Sequence, residues 1–424
     1  MRILSIPPYE RIATCTFAAV AARVDDSPLL PRLRHLSFTR RMLAPELRVH
    51  TLLSPTLSRL DITLDPWSFL HMGESPEEED SGELWTVMNY VTSTCHDLQR
   101  LSIGGTFVRA LASDLLGLHR LQDLDLSAQD FWKDSRGFCK IAQLPSLSSL
   151  RISVTGLDLT DSTTAGTCYF PSLSYLDIAG APSAFDPVFR MISSPTLISL
   201  RMCSYHEQPW MEWDRCLATV TRSFTASLRR LVLKSFSDLG DDPALPVDDL
   251  PLLVGRLAQL PHLQEVCIDS ARKLLVADRD MQALAASWPA LRRLHFWCGQ
   301  QKTRPSLSTL LAFRTRCPEL ISLAIPLEGY ISAEEAANLA KLEAKPHGLQ
   351  QLYLLGNVPI DDNLSVSTYI SRLFPVLKHL EVGTWDMDHS WRWSRVREAL
   401  NATSSASVSE SSQWDDWKGN VDTN

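Results

Sequence analysis

The sequence has no apolar run that approaches the length of about 20 residues needed to cross a bilayer. It also has no glycine-rich phosphate loop, no H-E-x-x-H zinc motif and no G-x-S-x-G nucleophile motif. Positive charge is in deficit, because 41 Lys and Arg residues stand against 49 Asp and Glu residues and give a formal net charge of −8. These absences predict a non-enzymatic protein that has no cofactor or metal, does not enter a membrane and does not bind nucleic acid through its phosphates.

Cysteine is present, but its pattern is not that of a disulfide framework. The nine cysteines are an odd number, they are widely scattered, and no two form a C-x-x-C pair. This arrangement favours reduced thiols, which are typical of the cytoplasm or the nucleus. The alternative is secretion, since the stretch 12–22 is weakly apolar and ends in A-V-A-A, loosely similar to a signal peptide. Glu10 and the prolines before it argue for a capping helix instead.

A phrase of nine letters recurs thirteen times along the chain. Each copy has a leading leucine with apolar residues three and five places after it, in the form L-x-x-L-x-L. Most steps between successive copies fall within about 20–29 residues, the length of one strand and one returning helix. The leading leucines are Leu33, Leu57, Leu98, Leu121, Leu147, Leu173, Leu197, Leu228, Leu263, Leu291, Leu320, Leu349 and Leu377.

The letters within each phrase alternate between apolar and other residues, which is typical of a short strand with one buried face. Proline stands two residues before the leading leucine in nine copies, where it ends one segment and begins the next strand. Between phrases, helical spacing recurs, for example at Leu250, Leu253 and Leu257. One strand and one helix cannot bury their apolar faces alone, so neighbouring copies must stack. The sequence predicts an α/β leucine-rich-repeat solenoid, with a curved parallel sheet on the concave side and helices on the convex side.

The pattern divides the chain into three parts. Residues 30–400 are predicted to form one solenoid, residues 1–29 an N-terminal capping helix region, and residues 401–424 a disordered, serine-rich acidic tail. A helical face near the end of the solenoid is predicted to cover the last repeat. Its residues are Trp393, Val396 and Leu400.

The longest step between two phrases contains the acidic segment 71–83. Six acids, a proline and two glycines predict an exposed loop that joins no core. A second interpretation is a docking or phosphorylation site at Ser75 or Ser81, where a phosphate would deepen the negative charge.

The candidate functional surface is the concave face, which displays the residues two, four and six places after each leading leucine. Adjacent strands lie about 4.8 Å apart, so equivalent letters of successive phrases are predicted to be neighbours. The early phrases display charges of both signs, whereas the later ones gather arginine and aromatic side chains, the types that most often anchor interfaces. Each residue alone is better explained as part of a solvated sheet face, but the cluster as a whole favours a protein-binding surface. The predicted binding residues are Arg201, Arg230, Lys234, Arg293, His295, Trp297 and Tyr353.

The form x-P-x-L-x-x-L-x-I, repeated at irregular intervals with an acidic insertion, resembles the leucine-rich-repeat region of fungal F-box proteins over about residues 30–382. The resemblance implies a substrate-recognition role, in which an F-box holds the Skp adaptor of a cullin ubiquitin ligase and the repeats select a protein. We expect a monomer. The F-box belongs ahead of the repeats, and here the first phrase begins at Leu30. The F-box is therefore lost or lies in a missing N-terminal segment, or the protein is a free-standing scaffold or regulator unconnected to ubiquitination.

Overall fold

Fourteen strands of the chain form one continuous parallel sheet in which spatial order follows chain order. The computed structural model describes residues 2–6, 28–39, 49–63, 80–104, 115–127, 135–154, 167–205, 210–235, 248–270, 274–298, 304–329, 347–355, 360, 362–383 and 387–403. The strands of the large sheet are β1 (Ile3–Ile6), β2 (His35–Thr39), β3 (Arg59–Thr63), β4 (Arg100–Gly104), β5 (Asp123–Leu126), β6 (Ser149–Ser153), β8 (Tyr175–Ala179), β10 (Ser199–Ser204), β11 (Arg230–Ser235), β13 (Glu265–Ser270), β15 (Arg293–Cys298), β16 (Ser322–Ile325), β17 (Gln351–Leu354) and β18 (His379–Val382). Two short parallel pairs join β7 (Cys168–Tyr169) to β9 (Ile192–Ser193) and β12 (Asp248–Asp249) to β14 (Leu274–Leu275).

The helices lie between strands along the chain, except the last, which follows the final strand. From Pro182 onward, neighbouring helices contact one another in a second layer. None of those in the described ranges combines the length and the apolar character that a membrane span requires. Short 3-10 turns cover Val49–Leu52 and residues 115–117. The α-helices are α1 (Asp80–Thr94), α2 (Ser135–Ile141), α3 (Pro182–Met191), α4 (Trp210–Phe224), α5 (Leu250–Leu257), α6 (Asp278–Ser287), α7 (Ser308–Arg316), α8 (Asn363–Leu373) and α9 (Met387–Thr403).

The core forms as the repeated phrase predicts. All thirteen leading leucines are buried and belong to one continuous apolar cluster. The apolar letters three places later, from Leu36 to Leu380, are buried in the same cluster. The predicted helix at Leu250, Leu253 and Leu257 is confirmed as α5. The fold is therefore an α/β leucine-rich-repeat solenoid.

Backbone hydrogen bonds fix the register between successive phrases. The carbonyl oxygen of the residue after each leading leucine, from Arg34 to Gln350, accepts bonds from two consecutive amides of the next phrase. For example, the Arg229 oxygen accepts from the amides of Gln264 at 2.7 Å and Glu265 at 3.0 Å. Equivalent letters of neighbouring phrases therefore stand side by side across the sheet.

The N-terminal prediction is wrong at residues 3–6. These residues form β1, which pairs in parallel with β2 from Ile3 opposite His35 to Ile6 opposite Phe38, and so adds a strand ahead of the first phrase. Its alternating burial, with Leu4 and Ile6 inward, explains why a strand is favoured over a capping helix. The predicted capping stretch 12–22 lies outside the described residues.

Two further boundaries need correction. The acidic segment is not a loop throughout, because α1 begins at Asp80 and includes Ser81, while 71–79 lie outside the described residues. The final helix α9 extends to Thr403, beyond the predicted start of the tail, and 404–424 are likewise outside the described residues. The predicted face of this helix is confirmed, since Trp393, Val396 and Leu400 are all buried.

The prediction of reduced thiols is wrong at two of the cysteines. Cys139 of α2 and Cys168 of β7 are joined by a disulfide, 29 residues apart in the sequence. The Phe138 and Phe170 rings pack beside it with their centroids 5.3 Å apart. The disulfide therefore links two successive repeats. The separation of its two cysteines in the sequence fits no short cysteine motif, so the sequence pattern does not predict it.

Candidate functional site

The sheet has a second face, opposite the leucine core, which we call the polar face. It consists of the side chains two, four and six places after each leading leucine, and we call these three rows the +2, +4 and +6 columns. Parallel register places Arg230 beside Glu265 and Glu265 beside Arg293 in the +2 column. In the +6 column, Lys234 neighbours Asp269 and Asp269 neighbours Trp297 in the same way.

We divide the polar face into an early region, β2 to β8, and a late region formed by β10, β11, β13 and β15. In the early region the carboxylates each contact basic or hydroxyl groups of neighbouring strands. Asp61 Oδ2 lies 2.8 Å from both His35 Nε2 and Arg59 Nε. Asp123 contacts Arg100 Nε at 3.3 Å.

The most buried part of the early region is a row in which an arginine lies between two aspartates. Arg151 Nη1 is 2.8 Å from Asp125 Oδ2, and its Nε is 3.0 Å from Asp177 Oδ2. The Tyr175 hydroxyl donates to the same Asp177 oxygen at 3.3 Å, and Arg201 Nε lies 3.8 Å from it. Burial raises the pKa of Asp125, although the Arg151 guanidinium opposes that shift. The acidic and basic groups of this row therefore neutralise one another within the sheet.

In the late region, one glutamate contacts two arginines. Glu265 lies 3.4 Å from Arg230 Nε on one side and 3.4 Å from Arg293 Nη1 on the other. The side chains of Arg230 and Arg293 are 43% and 39% exposed, whereas Glu265 is 27% exposed. The two guanidinium groups therefore face solvent and share one carboxylate.

Other predicted binding residues lie deeper than the alternation of letters suggests. Lys234 is only 6% exposed and Tyr353 only 8%, so the prediction that they are displayed is wrong for both. His295 and Trp297 are half-buried. Tyr353 packs against the ring of His379, with 5.4 Å between centroids. Side chains on the polar face cover one another, so outward direction does not guarantee exposure.

Three buried side chains of the late region are Lys234, Cys203 and Cys267. Burial raises the pKa of the neighbouring Asp269, and the Lys234 ammonium opposes the shift. Burial raises the pKa of the Cys267 thiol to about 12 and also raises that of Cys203. Such thiols stay protonated at neutral pH and are poor nucleophiles. Within the described part of the chain, no group of three or more His, Cys, Asp or Glu residues is arranged to hold a metal.

The structure brings only some of the predicted residues together. Arg230 and Arg293 meet through Glu265, whereas Arg201 joins the early network through Asp177. Tyr353 belongs to β17, outside the late region. The letter positions of Glu265 and Asp269 predict that both acids face outward in this region, but they do not predict that Glu265 contacts two arginines.

The formal charges of the two regions differ in sign. The early region carries three arginines against four aspartates, a balance of −1 when histidine is neutral: Arg59, Arg100, Arg151, Asp61, Asp123, Asp125 and Asp177. The late region carries four bases against two acids, a balance of +2: Arg201, Arg230, Lys234, Arg293, Glu265 and Asp269. A positive patch therefore lies on a chain whose formal net charge is −8.

The architecture is that of the leucine-rich-repeat proteins. No protein-family model matches the chain, and no curated protein matches it in sequence. Solved structures do match in fold. An internalin, inlF, from Listeria monocytogenes is 13% identical with a TM-score of 0.37, over 84% of this chain and 82% of that one.

Two further solved structures show similarity at the same level. The leucine-rich repeat-containing protein LegL7 from Legionella pneumophila is 14% identical with a TM-score of 0.37, over 84% of this chain and 94% of that one. A chain from the complex of Rad7 and Elc1 in yeast is 16% identical with a TM-score of 0.42, over 89% of this chain and 84% of that one. These similarities concern the fold alone.

Proposed function

We propose that the chain is a protein-protein interaction module that binds its partner on the polar face. The observation that carries the proposal is the late region, which holds four bases and two acids, with two arginines that are about 40% exposed and a half-buried tryptophan on the same face. Arginine and tryptophan are the residue types that most often dominate binding energy at interfaces. The proposal assigns the chain no catalytic step and no cofactor.

The finer proposal is that the module recognises the substrate of an F-box-type ubiquitin ligase adaptor in the cytoplasm or nucleus. Its support is the phrase pattern and its resemblance to fungal F-box proteins. The alternative is a free-standing scaffold or regulator with the same fold. Affinity purification of the tagged protein, expressed from its native gene, separates the two. Recovery of Skp and cullin subunits supports the adaptor, and a partner recovered without them supports the scaffold.

A pair of triple variants tests the location of the binding surface. The test variant R230Q/R293Q/W297A removes two arginines and an aromatic ring from the late region. The control R59Q/R100Q/Y175A removes the same groups from the early region, where Arg59 and Arg100 are 42% and 39% exposed. We expect only the test variant to lose the partner. Partner binding that survives the test variant, with circular dichroism unchanged, contradicts the proposed location.

A further inference from the structure

Two pairs of adjacent arginines flank a single glutamate where three neighbouring strands begin. Arg229 and Arg230 stand at the start of β11, and Arg292 and Arg293 stand at the start of β15. Glu265 begins β13 between them. We call these four arginines the double-arginine corner.

The backbone of the double-arginine corner is held rigidly by the hydrogen bonds between phrases. The Gln264 carbonyl accepts from the amides of Arg292 at 2.8 Å and Arg293 at 3.0 Å, and the Arg229 carbonyl accepts in the same way from the amides of Gln264 and Glu265. Arg230 and Arg293 belong to the +2 column of the polar face, whereas Arg229 and Arg292 each precede the first residue of their strand. The hydrogen bonds therefore fix the backbone from which the four side chains extend.

Positive charge is in excess at this corner. Three of the four arginines contact two carboxylates, because Arg292 lies 3.0 Å from Glu319 and Glu265 contacts both Arg230 and Arg293. Arg229 Nη1 donates instead to the carbonyl oxygens of Ala226 at 2.9 Å and Leu228 at 3.1 Å. Arg292 and Glu319 are 53% and 52% exposed, so water screens their pair. The carboxylate of Glu265 shows which group fits between two guanidinium forks, since arginine binds carboxylates through paired N–H donors.

Exposed isoleucines lie on either side of the double-arginine corner. In the row of residues that follow the leading leucines, Ile198 precedes Arg229 and Ile321 follows Arg292. Their exposed fractions are 50% and 38%, high for aliphatic side chains. Four strand spacings separate the two isoleucines, about 19 Å, and two separate Arg230 from Arg293, about 10 Å.

The spacing of the two isoleucines matches an extended peptide that crosses the strands. Alternate residues of an extended chain point the same way and are about 6.6 Å apart. Seven residues then place an apolar side chain at each end, about 20 Å apart, which matches the separation of the two isoleucines. Two acidic side chains at the third and fifth positions are about 7 Å apart. The backbones of Arg230 and Arg293 are farther apart than this, but their guanidinium groups converge, since each lies 3.4 Å from the carboxylate of Glu265. The pattern is apolar-x-acid-x-acid-x-apolar.

We propose that the double-arginine corner, with Ile198 and Ile321, docks an extended acidic segment of a partner protein through this pattern. The inference rests on the proposed function and names the chemistry of its partner. The carboxylates of the segment contact Arg230 and Arg293, and its terminal apolar residues cover the two isoleucines. Glu265 holds the arginines in place before binding and competes with the incoming carboxylates.

The test uses the full chain and a fluorescent, end-capped peptide, Leu-Ser-Glu-Ser-Glu-Ser-Leu, followed by anisotropy. Loss of two exposed charge contacts in R230Q/R293Q is expected to weaken binding about tenfold. The variant I198S/I321S is expected to weaken it about fivefold, because apolar contact area is lost. E265Q is expected to strengthen binding about threefold by removing the competing charge. The matched control R59Q/R100Q should bind like the parent protein.

Three results overturn the inference. They are equal binding of the peptide with both glutamates changed to glutamine, binding only when phosphoserine replaces glutamate, and equal loss in R230Q/R293Q and R59Q/R100Q. The result is separable from the wider proposal. A cellular partner that still binds R230Q/R293Q but not R59Q/R100Q/Y175A overturns this inference and keeps the interaction module. If the peptide binds at the double-arginine corner but no cellular partner binds the polar face, the inference stands and the wider proposal is contradicted.

Discussion

In the early region of the polar face, each carboxylate is met by basic or hydroxyl groups of its own sheet, whereas in the late region arginines outnumber the carboxylates they contact. The contrast is sharpest between Asp177 and Glu265, each of which contacts two arginines. The Asp177 side chain is 7% exposed and the Glu265 side chain 27% exposed. Both regions stand on the same leucine core, so the core does not explain the difference. The comparison shows how one repeat frame can hold a structural charge network in one place and an available patch in another.

The largest expected effect is the loss of stability caused by a core substitution. It tests whether the core contributes equally to stability in both regions. Leu176 and Leu294 occupy the same letter of the phrase and are 0% and 1% exposed. Each change to alanine removes buried methyl groups and leaves a cavity, so each should lower the free energy of unfolding by about 3 to 4 kcal/mol. Urea denaturation measures both. A difference of more than about 1.5 kcal/mol between them would show that the regions differ in their cores as well as in their faces.

The next largest loss of stability is expected from a substitution that disrupts the charge network of the early region. Asp177→Ala removes the carboxylate that Arg151, Tyr175 and Arg201 share, and leaves partly buried charges without it. We expect a loss of about 2 to 3 kcal/mol in the free energy of unfolding, at the lower end for a broken buried pair because Arg151 is 37% exposed. The measurement is again urea denaturation at neutral pH. A loss below about 1 kcal/mol contradicts a structural role for this network.

The matching change in the late region should be much smaller. Glu265→Ala leaves Arg230 and Arg293 in contact with solvent, and exposed ion pairs contribute little. We expect a loss below about 1 kcal/mol, and stability that changes less with added salt than in the parent protein. If Glu265→Ala is as destabilising as Asp177→Ala, the late region is a structural network too and the contrast fails.

Much of this architecture could be predicted from the repeated phrase, because leading leucines and alternation report directly on burial and register. The depth of the polar face could not. Alternation gives the direction of Lys234 and Tyr353 but not the neighbours that cover them. The strand Ile3–Ile6 lacks a leading leucine, and the Cys139–Cys168 pair depends on the packing of two repeats. The role of Glu265 depends on side-chain reach across strands, which follows from its letter position only after the register is known.

The smallest expected effect is a change of stability with pH. It tests whether burial raises the pKa of an acid in both regions. Burial raises the pKa of Asp125 in the early region and of Asp269 in the late region above the ordinary value of 3.8. Between pH 3.8 and the raised folded-state pKa, the folded protein binds more protons than the unfolded chain, so stability falls as pH rises through that window. Asp125→Asn and Asp269→Asn each remove one such group.

We therefore expect the stability of the parent protein, relative to either variant, to decrease as pH rises from 3.8 and then to level off. Urea denaturation across this range measures the difference. The same sign at both positions would mean that the two regions share the burial of individual acids and differ only in how many bases surround them. A relative stability that rises with pH at Asp269 alone would instead mean that Lys234 compensates its acid fully, and that the positive balance of the late region resides in the double-arginine corner.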